Sequence, residues 1–305
     1  MKLGLLTSAF PTLSLDEVAD WACAAGFEAL EVAVWPEETG ESRRYAGISH
    51  INVETLDAEK ATSIVGGLAE RGLVISALAY YPNPLHPDPE TAGAAREHIK
   101  RVIVAAELLG VEVVGTFVGR DKDKSLDENF EQFEKVWPAL VRFAADHGRK
   151  IAIENCPMIF SGDEWPGGDN LAYSPRIWRR MFEIVPDANF GLNLDPSHLV
   201  WQFIDAPRVV REFGGRIFHV HAKDLEISAD GLYENGTMSL GVGWQTPRLC
   251  GLGQVDWNAF FAALYRAGYD GVASVEHEDR DFEGSVEKVQ RGFAIARDNL
   301  RPLIH

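Results

Sequence analysis

The amino-acid sequence predicts a single α/β domain over residues 1–305, in which eight parallel strands, each followed by a helix, close into a barrel. Short apolar runs alternate with longer amphipathic runs along the whole chain. The composition does not shift at any point that would mark a domain boundary, and 305 residues is a normal length for eight such units. These observations favour the (β/α)8 architecture, the TIM barrel.

Eight short apolar runs have the length and residue types of buried strands. In chain order they are LGLLTSA from residue 3, ALEVAVW at 29–35, LVISALAYY at 73–81, VEVVGTFVG at 111–119, KIAIENC at 150–156, FGLNLDP at 190–196, IFHVHAKD from residue 217, and GVASVEHE at 271–278. The alternative is a doubly wound open sheet. No GxGxxG motif follows the first strand, and six strands are more usual for that fold, so the closed barrel is favoured.

Amphipathic runs follow these strands. The clearest is PETAGAAREHIKRVIVAAELLG, because its apolar residues recur at helical spacing and Gly110 stops it. The first helix, LDEVADWACAAG, ends at Gly26, and Pro138 is expected to disturb the fourth, DENFEQFEKVWPALVRFAADHG. The others are DAEKATSIVGGLAERG, SPRIWRRMFEIV, DAPRVVREFG, VDWNAFFAALYRAG and EGSVEKVQRGFAIARDNL. Two loops are long, one after the fifth strand and a glycine-rich one over about 225–255.

The overall charge and the cysteine count exclude several classes of protein. The net charge of −17 and the pI of about 4.9 disfavour binding to nucleic acid or to anionic membranes. Three cysteines do not form a disulfide framework, and no apolar run approaches the roughly 20 residues of a membrane span. The N-terminal apolar run is too short for a signal peptide. We therefore expect a cytoplasmic protein that acts on a small molecule.

Ionisable side chains lie at the ends of the last four strands. Side chains in a barrel strand alternate between the lumen and the surrounding helices. In the seventh strand this alternation assigns Phe218, Val220 and Ala222 to the helices and Ile217, His219, His221 and Lys223 to the lumen. In the fifth, sixth and eighth strands it turns Glu154, Asp195 and Glu276 inward. All four strands thus place an ionisable group at the carboxyl end, where barrel enzymes build their active sites.

This convergence predicts a metal site. Three buried carboxylates without a cation between them would cost several kcal/mol per ion, and a divalent metal ion is the simplest partner. One nitrogen and several oxygen ligands suit Mn²⁺, Mg²⁺ or Co²⁺ better than a thiolate-type zinc site. His219 lies one layer deeper and is expected to orient the ligands or fill the lumen. Any of these residues alone would be read as a core histidine or a loop anchor.

At these residues the sequence resembles the sugar phosphate isomerase/epimerase superfamily, with its xylose-isomerase-like TIM barrel. The matching motifs span the chain in order and spacing. They are IAIENC with Glu154, NLDPSHL with Asp195 and His198, HVHAKD with His221, Lys223 and Asp224, GLGQVDW at 251–257, and SVEHED with Glu276.

The resemblance implies a function and a ligand set. In relatives similar to ketose 3-epimerases, one divalent metal ion is bound at the positions of Glu154, Asp195, His221 and Glu276. We expect this ion to be Mn²⁺, and Mg²⁺, Co²⁺ and Zn²⁺ are the alternatives. The two glutamates would also form the acid/base pair that moves the proton of a sugar or polyol through a metal-stabilised enediolate.

Four further residues are predicted to bind the substrate. The resemblance places His198 and Arg248 against the substrate oxygens; for His198 the alternative is a surface residue at a helix start. Trp165 would stack on a sugar face or belong to an ordered surface loop. Lys223 has a substrate role or pairs with Asp224 to close the strand end. Trp35, Tyr80, Tyr81 and Phe117 line the apolar side of a pocket or pack the barrel.

Several alternatives stay open on the sequence alone. A dehydratase of the inosose or dehydroshikimate type shares the scaffold, and its reaction also begins with proton removal beside a carbonyl. A non-catalytic sugar-binding barrel would keep the metal without turnover. A nuclease similar to the AP endonucleases is disfavoured, because the extra histidines for three zinc ions are missing and the chain is acidic. No phosphate-binding glycine loop follows the last two strands, so an unphosphorylated substrate is expected. The chain is a possible homo-oligomer.

Overall fold

The computed structural model describes residues 1–36, 47–159 and 168–305. Eight of its strands form a closed parallel barrel in which neighbours in sequence are neighbours in space and the last strand pairs with the first. The barrel strands are β1 Lys2–Leu6, β2 Ala29–Ala33, β3 Val74–Ala79, β4 Val113–Thr116, β5 Lys150–Glu154, β6 Phe190–Leu194, β7 Ile217–Ala222 and β10 Val272–Val275. The predicted (β/α)8 fold is confirmed.

The helices surround this barrel. They are α1 Leu15–Ala24, α2 Ala58–Glu70, α3 Pro89–Leu108, α4 Leu126–Asp146, α5 Pro175–Ile184, α6 Ser197–Val200, α7 Ala206–Phe213, α8 Ala229–Asn235, α9 Trp257–Arg266 and α10 Val286–Leu300. Most begin at a Ser or Asp whose side chain accepts a backbone N–H. Ser14 and Ser125 each form a reciprocal capping box with a glutamate three residues on. Among the described residues, no helix is both long enough and apolar enough to cross a bilayer.

The disturbance expected at Pro138 does not interrupt the helix. α4 runs through this proline without a break. A proline inside a helix removes one backbone hydrogen bond and costs about 3 kcal/mol. Trp137, Leu140 and Val141 lie beside it and are buried in the main core, so their packing outweighs the local cost.

The inward and outward faces of β7 differ from the strict alternation in one place. The register between β6 and β7 shifts after Leu192, so that Ile217 pairs with Leu192 and His219 with Asn193. Ile217 therefore packs into the helix-side core, and Phe218 packs in the lumen against Ala77, Val113 and Ala152. The predicted faces of Ile217 and Phe218 are wrong, because a bulge adds one residue to the strand. Beyond it, the predicted alternation holds.

The long loop after β7 contains structure that the sequence did not predict. β8 Asp224–Ile227 and β9 Gln245–Arg248 form an antiparallel pair, with α8 between them. Both strands have four residues, and Pro247 lies inside the second. Such short elements carry no periodic signal. This excursion covers one side of the barrel mouth.

Candidate active site

The four predicted metal ligands converge at the carboxyl end of the barrel. Glu154 ends β5, Asp195 follows β6, His221 lies in β7, and Glu276 follows β10. One ligand atom from each of the four lies within 4.8 Å of the others. All four are in or next to adjacent strands, so the barrel itself sets their spacing. Their role as ligands remains a prediction, but the structure brings them together.

His221 presents one nitrogen to the other three residues. Its Nε2 lies 2.9 Å from Glu31 Oε2, while its Nδ1 lies 3.2 Å from Glu276 Oε2 and 3.6 Å from Glu154 Oε1. Nδ1 has no hydrogen-bond partner among the described residues, and neither has Asp195 Oδ2. Buried polar atoms are rarely left without one. Two such atoms at one point, beside two further carboxylates, fit a divalent cation.

Glu31 belongs to this site, and the sequence prediction missed it. It is fully buried in the middle of β2. It accepts hydrogen bonds from His221 and from the Tyr81 hydroxyl, whose oxygen is 2.6 Å from Oε1. A histidine that binds a metal usually donates its second N–H to such a carboxylate, which fixes the tautomer. The signal was available: the alternation applied to the later strands turns Ala29, Glu31 and Ala33 inward.

The deeper histidine, His219, is a packed lumen residue. Its Nδ1 lies 3.1 Å from Asn193 Oδ1 and its Nε2 lies 3.0 Å from Ser76 Oγ. Burial lowers the pKa of His219 to about 4, against the opposing charge of Glu31. The ring is therefore neutral at pH 7. This position agrees with the prediction that His219 fills the layer beneath the ligands.

Lys223 provides a fixed positive charge inside the site. Its side chain is almost fully buried, and Nζ lies 2.8 Å from Glu276 Oε2, 3.0 Å from Glu278 Oε2 and 3.2 Å from Asp195 Oδ2. Burial opposes the charge, but these carboxylates raise the pKa of Lys223 well above its usual value. The ammonium is thus held by three acidic groups and has little capacity left for a charged substrate.

The same charges keep the acidic residues ionised. Burial would raise the pKa of Glu154, but His221, His198 and Lys223 bring it well below its usual range. The pKa of Glu276 is lowered in the same way, chiefly by Lys223 and His221 against burial. Conversely, Glu31, Glu276 and Glu154 overcome burial and raise the pKa of His221. Both predicted acid/base residues are therefore carboxylates at neutral pH.

Asp224 organises the loop beside the site and does not pair with Lys223. Its carboxylate accepts hydrogen bonds from the Gly251 and Val255 amides and from Trp257 Nε1, each at 2.9 Å. A side chain at Gly253 would collide with this carboxylate. This explains the GLGQVDW segment, which wraps around Asp224. The internal Lys223–Asp224 ion pair considered from the sequence does not form, and Lys223 faces the carboxylates instead.

His198 and Cys156 extend the site on one side. His198 lies on α6, and its Nε2 is 3.3 Å from Asp195 Oδ2 and 3.5 Å from Glu154 Oε1. Cys156 follows β5, and its Sγ lies within 4.8 Å of a ligand atom of His198 and of Glu154. His198 is therefore part of the buried site, and the surface alternative is wrong.

Arg248 lies away from the centre. Its guanidinium contacts Glu226 at 2.7 Å, Asp281 at 2.6 Å and Asp279 at 3.3 Å. Its neighbours on β9, Gln245 and Pro247, line the cavity instead. The structure thus does not bring Arg248 to the predicted substrate position. Trp165, the other predicted contact in a loop, lies outside the described residues.

A cavity of about 300 Å³ opens above the four residues. Glu154, Lys223 and Glu276 form part of its floor. Its described walls are largely apolar and include Trp35, Tyr81, Phe117, Met158, Trp201, Leu240 and Val242. Three of the four predicted aromatic residues line it, whereas Tyr80 packs between Trp35 and His98. Among the described lining residues, Lys223 is the only lysine or arginine.

The chain is similar to known proteins over its whole length. It is 28% identical over 303 residues to YfiH of Bacillus subtilis (strain 168), an uncharacterised protein, with 92% of this chain and 93% of that protein covered. The structure of the probable 3-DHS dehydratase AsbF, involved in petrobactin synthesis in Bacillus anthracis, superposes with a TM-score of 0.73 at 17% identity and 99% coverage of both chains.

A D-psicose 3-epimerase from Clostridium cellulolyticum H10, solved with D-tagatose, superposes with a TM-score of 0.70 at 14% identity and 100% coverage of both chains. At these identities the two structural likenesses concern the fold. Residues 19–301 also match the family profile described as a xylose isomerase-like TIM barrel, which confirms the resemblance carried by the sequence motifs. The chain therefore belongs to the xylose isomerase-like TIM barrel family.

Proposed function

We propose that this protein is a metal-dependent isomerase or epimerase of a neutral sugar or polyol. One observation carries the proposal: two glutamates, Glu154 and Glu276, face Nδ1 of His221 from different strands, at 3.6 and 3.2 Å. The pair lies at the floor of a cavity large enough for a small molecule. Carboxylates in this position can remove a proton beside a carbonyl and return it.

Each residue has a definite task in this proposal. Glu154, Asp195, His221 and Glu276 would hold the divalent ion, and Glu31 would fix the His221 ring by accepting its Nε2–H. When bound, the ion supplies polarisation of the substrate oxygens and stabilises the negative charge of an enediolate. Glu154 and Glu276 approach from strands that flank β6 and β7, so the carboxylate of one can remove the proton, and the other can deliver a proton after taking one up from water. His198 would contact a substrate oxygen from α6.

The cavity points to a substrate without a phosphate group. Lys223 is already surrounded by Asp195, Glu276 and Glu278, and no other described lining residue is a lysine or an arginine. The flat apolar faces of Trp35 and Trp201 suit the C–H face of a sugar ring. A phosphorylated sugar would bring two negative charges into an acidic site, so the free sugar should bind better.

The test is proton exchange in D₂O with the Mn²⁺-loaded protein and a panel of ketoses, inososes and hydroxypyruvate. Wild-type protein should incorporate deuterium from the solvent into one compound of the panel and form its isomer or epimer. Glu154→Gln and Glu276→Gln should each slow this exchange by about 10²- to 10⁴-fold. Glu226→Gln removes an acidic side chain outside the cavity that pairs with Arg248, and should exchange at the wild-type rate. Unchanged rates in both site variants would refute the assignment.

A dehydratase is the second candidate, because AsbF shares the whole fold and elimination also begins with proton removal beside a carbonyl. It predicts loss of water from an inosose or a dehydroshikimate-like compound in the same panel, with no isomer formed. A non-catalytic barrel would bind metal and sugar but exchange no deuterium. The cytoplasmic location and the oligomeric state remain predictions.

A further inference from the structure

A second group of ligand atoms adjoins the four residues of the predicted metal site. Glu154, Cys156 and His198 place one oxygen, one sulfur and one nitrogen within 4.8 Å of one another. Cys156 and His198 both line the cavity, on its β5–α6 side. Only Glu154 is shared with the first group.

His198 is directed into this group without a hydrogen-bond partner for its Nε2 among the described residues. The His198 side chain is 11% exposed, and its Nε2 is buried. Nε2 lies 3.5 Å from Glu154 Oε1 and 3.3 Å from Asp195 Oδ2. A buried nitrogen that faces two carboxylates and a thiol without a hydrogen bond has the surroundings of a metal ligand.

The sulfur is also held in place. Cys156 Sγ accepts a hydrogen bond from the Met158 amide at 3.4 Å. Met158 itself has the uncommon φ of 55°, and a side chain at Gly168 would collide with its carbonyl. The turn that carries the thiol therefore has one hydrogen bond to the sulfur and packs closely against Gly168.

We propose that Glu154, Cys156 and His198 bind a second divalent cation, of the thiophilic class represented by Zn²⁺, next to the predicted oxygen-rich site. In a tetrahedral zinc site with Zn–N and Zn–O of about 2.0 Å and Zn–S of about 2.3 Å, neighbouring ligand atoms are roughly 3.3–3.6 Å apart. The 3.5 Å between His198 Nε2 and Glu154 Oε1 fits this spacing. Glu154 would bridge the two ions, as carboxylates do in two-metal enzymes.

Ligand chemistry separates the two positions. The first group has three carboxylates and one imidazole, which suits Mn²⁺ or Mg²⁺. The second adds a thiolate, which prefers softer ions. The proposal goes beyond the proposed function, because the second ion can be present whether or not the first supports proton transfer. When this second ion is bound, His198 would be its ligand; without the ion, His198 keeps the substrate contact given to it in the proposed function.

The test is titration of the metal-free protein with Co²⁺, which replaces zinc and gives an intense near-ultraviolet band only when a thiolate is bound. Wild-type protein should bind about two ions per chain, one of them with this band. Cys156→Ser should lose the band and one ion while retaining the other. Retention of that ion shows that this variant is folded. His221→Ala should lose one ion but keep the band.

Cys23→Ser is the matched control, because this exposed cysteine lies on α1 away from the mouth, and it should behave as wild type. A wild-type protein that binds one ion without a thiolate band, or a band that survives Cys156→Ser, would overturn the proposal. Deuterium exchange of the Mn²⁺-loaded protein is measured separately. Failure of the second site is therefore distinguishable from failure of the proposed proton transfer.

Discussion

The most informative perturbation is Glu31→Gln, because Glu31 touches the proposed metal site only through His221. The glutamine keeps the side-chain length and one acceptor oxygen but removes the charge. In the wild-type protein both carboxylate oxygens lie within hydrogen-bond distance of His221 Nε2, at 3.0 and 2.9 Å. The Tyr81 hydroxyl contributes a further hydrogen bond at 2.6 Å. The variant therefore retains the shape of the lumen but loses the negative charge that strengthens the hydrogen bond to His221.

The magnitude follows from these contacts. A hydrogen bond to a charged group contributes about 1.5–3 kcal/mol and a neutral one about 0.5–1.5 kcal/mol. The difference of about 1–1.5 kcal/mol acts on the orientation and basicity of His221, and each 1.4 kcal/mol is tenfold in affinity. Loss of such outer partners typically weakens a metal site by about 10- to 100-fold. We expect Mn²⁺ binding to Glu31→Gln to weaken within this range, nearer to tenfold.

The assay is calorimetric titration with Mn²⁺ at several pH values. Glu31, with Glu276 and Glu154, raises the pKa of His221 above its usual value against the effect of burial. In the metal-free protein this raised pKa stabilises the fold below pH 6.5, and the contribution is lost as pH rises through the folded pKa. The affinity for Mn²⁺ should instead increase as pH rises, because the proton on His221 must leave before the nitrogen can bind the ion. In Glu31→Gln the pKa of His221 should fall, so fewer protons should be released on binding at neutral pH.

The matched control is Glu28→Gln at the amino end of β2. Glu28 is half exposed, and it accepts hydrogen bonds from the Leu3 amide and from Arg301, far from the cavity. This variant makes the same carboxylate-to-amide change and breaks an ion pair with Arg301, but Glu28 has no contact with His221, so the Mn²⁺ affinity should equal that of the wild type. Equal affinities in Glu31→Gln and wild type, or equal losses in both variants, would refute the positioning role of Glu31.

Two further predictions concern stability. Lys223→Met should destabilise the metal-free protein by about 3–5 kcal/mol in denaturant unfolding, because buried carboxylates lose their shared cation. Mn²⁺ should restore more stability to this variant than to wild type, and an equal gain in both would contradict the charge argument. His219→Gln should reduce the decrease in the free energy of unfolding at acid pH. Since burial lowers the pKa of His219 to about 4, the wild type should lose about 3 kcal/mol between pH 6.5 and 4 that the variant keeps.

Period-two alternation in four late strands was sufficient to predict the convergence of Glu154, Asp195, His221 and Glu276. The reason is geometric: parallel barrel strands end at one level, so inward side chains at their ends must meet. The same rule applied to the second strand would have found Glu31. A single glutamate in the apolar run ALEVAVW is the kind of buried charge that needs a partner.

Other features could not be predicted from the pattern, because they depend on contacts distant in sequence. The register shift in β7 moves Phe218 into the lumen, where Gly191 leaves room for its ring. The continuity of α4 through Pro138 depends on core packing around Trp137. The displacement of Arg248 depends on Asp279 and Asp281, which approach from the loop after β10. Each is a tertiary contact that outweighs a local preference.

The position of Lys223 explains how the mouth of the barrel can be stable before a metal binds and still attract one. Its ammonium neutralises part of the charge of Asp195, Glu276 and Glu278, and a proton on His221 neutralises another part. Lys223 cannot leave, but the His221 proton can. A divalent ion that replaces this proton adds one net positive charge to a cluster that is still acidic. The fixed cation thus limits the repulsion in the empty fold, while the titratable nitrogen leaves a ligand position that only a metal ion or a proton can fill.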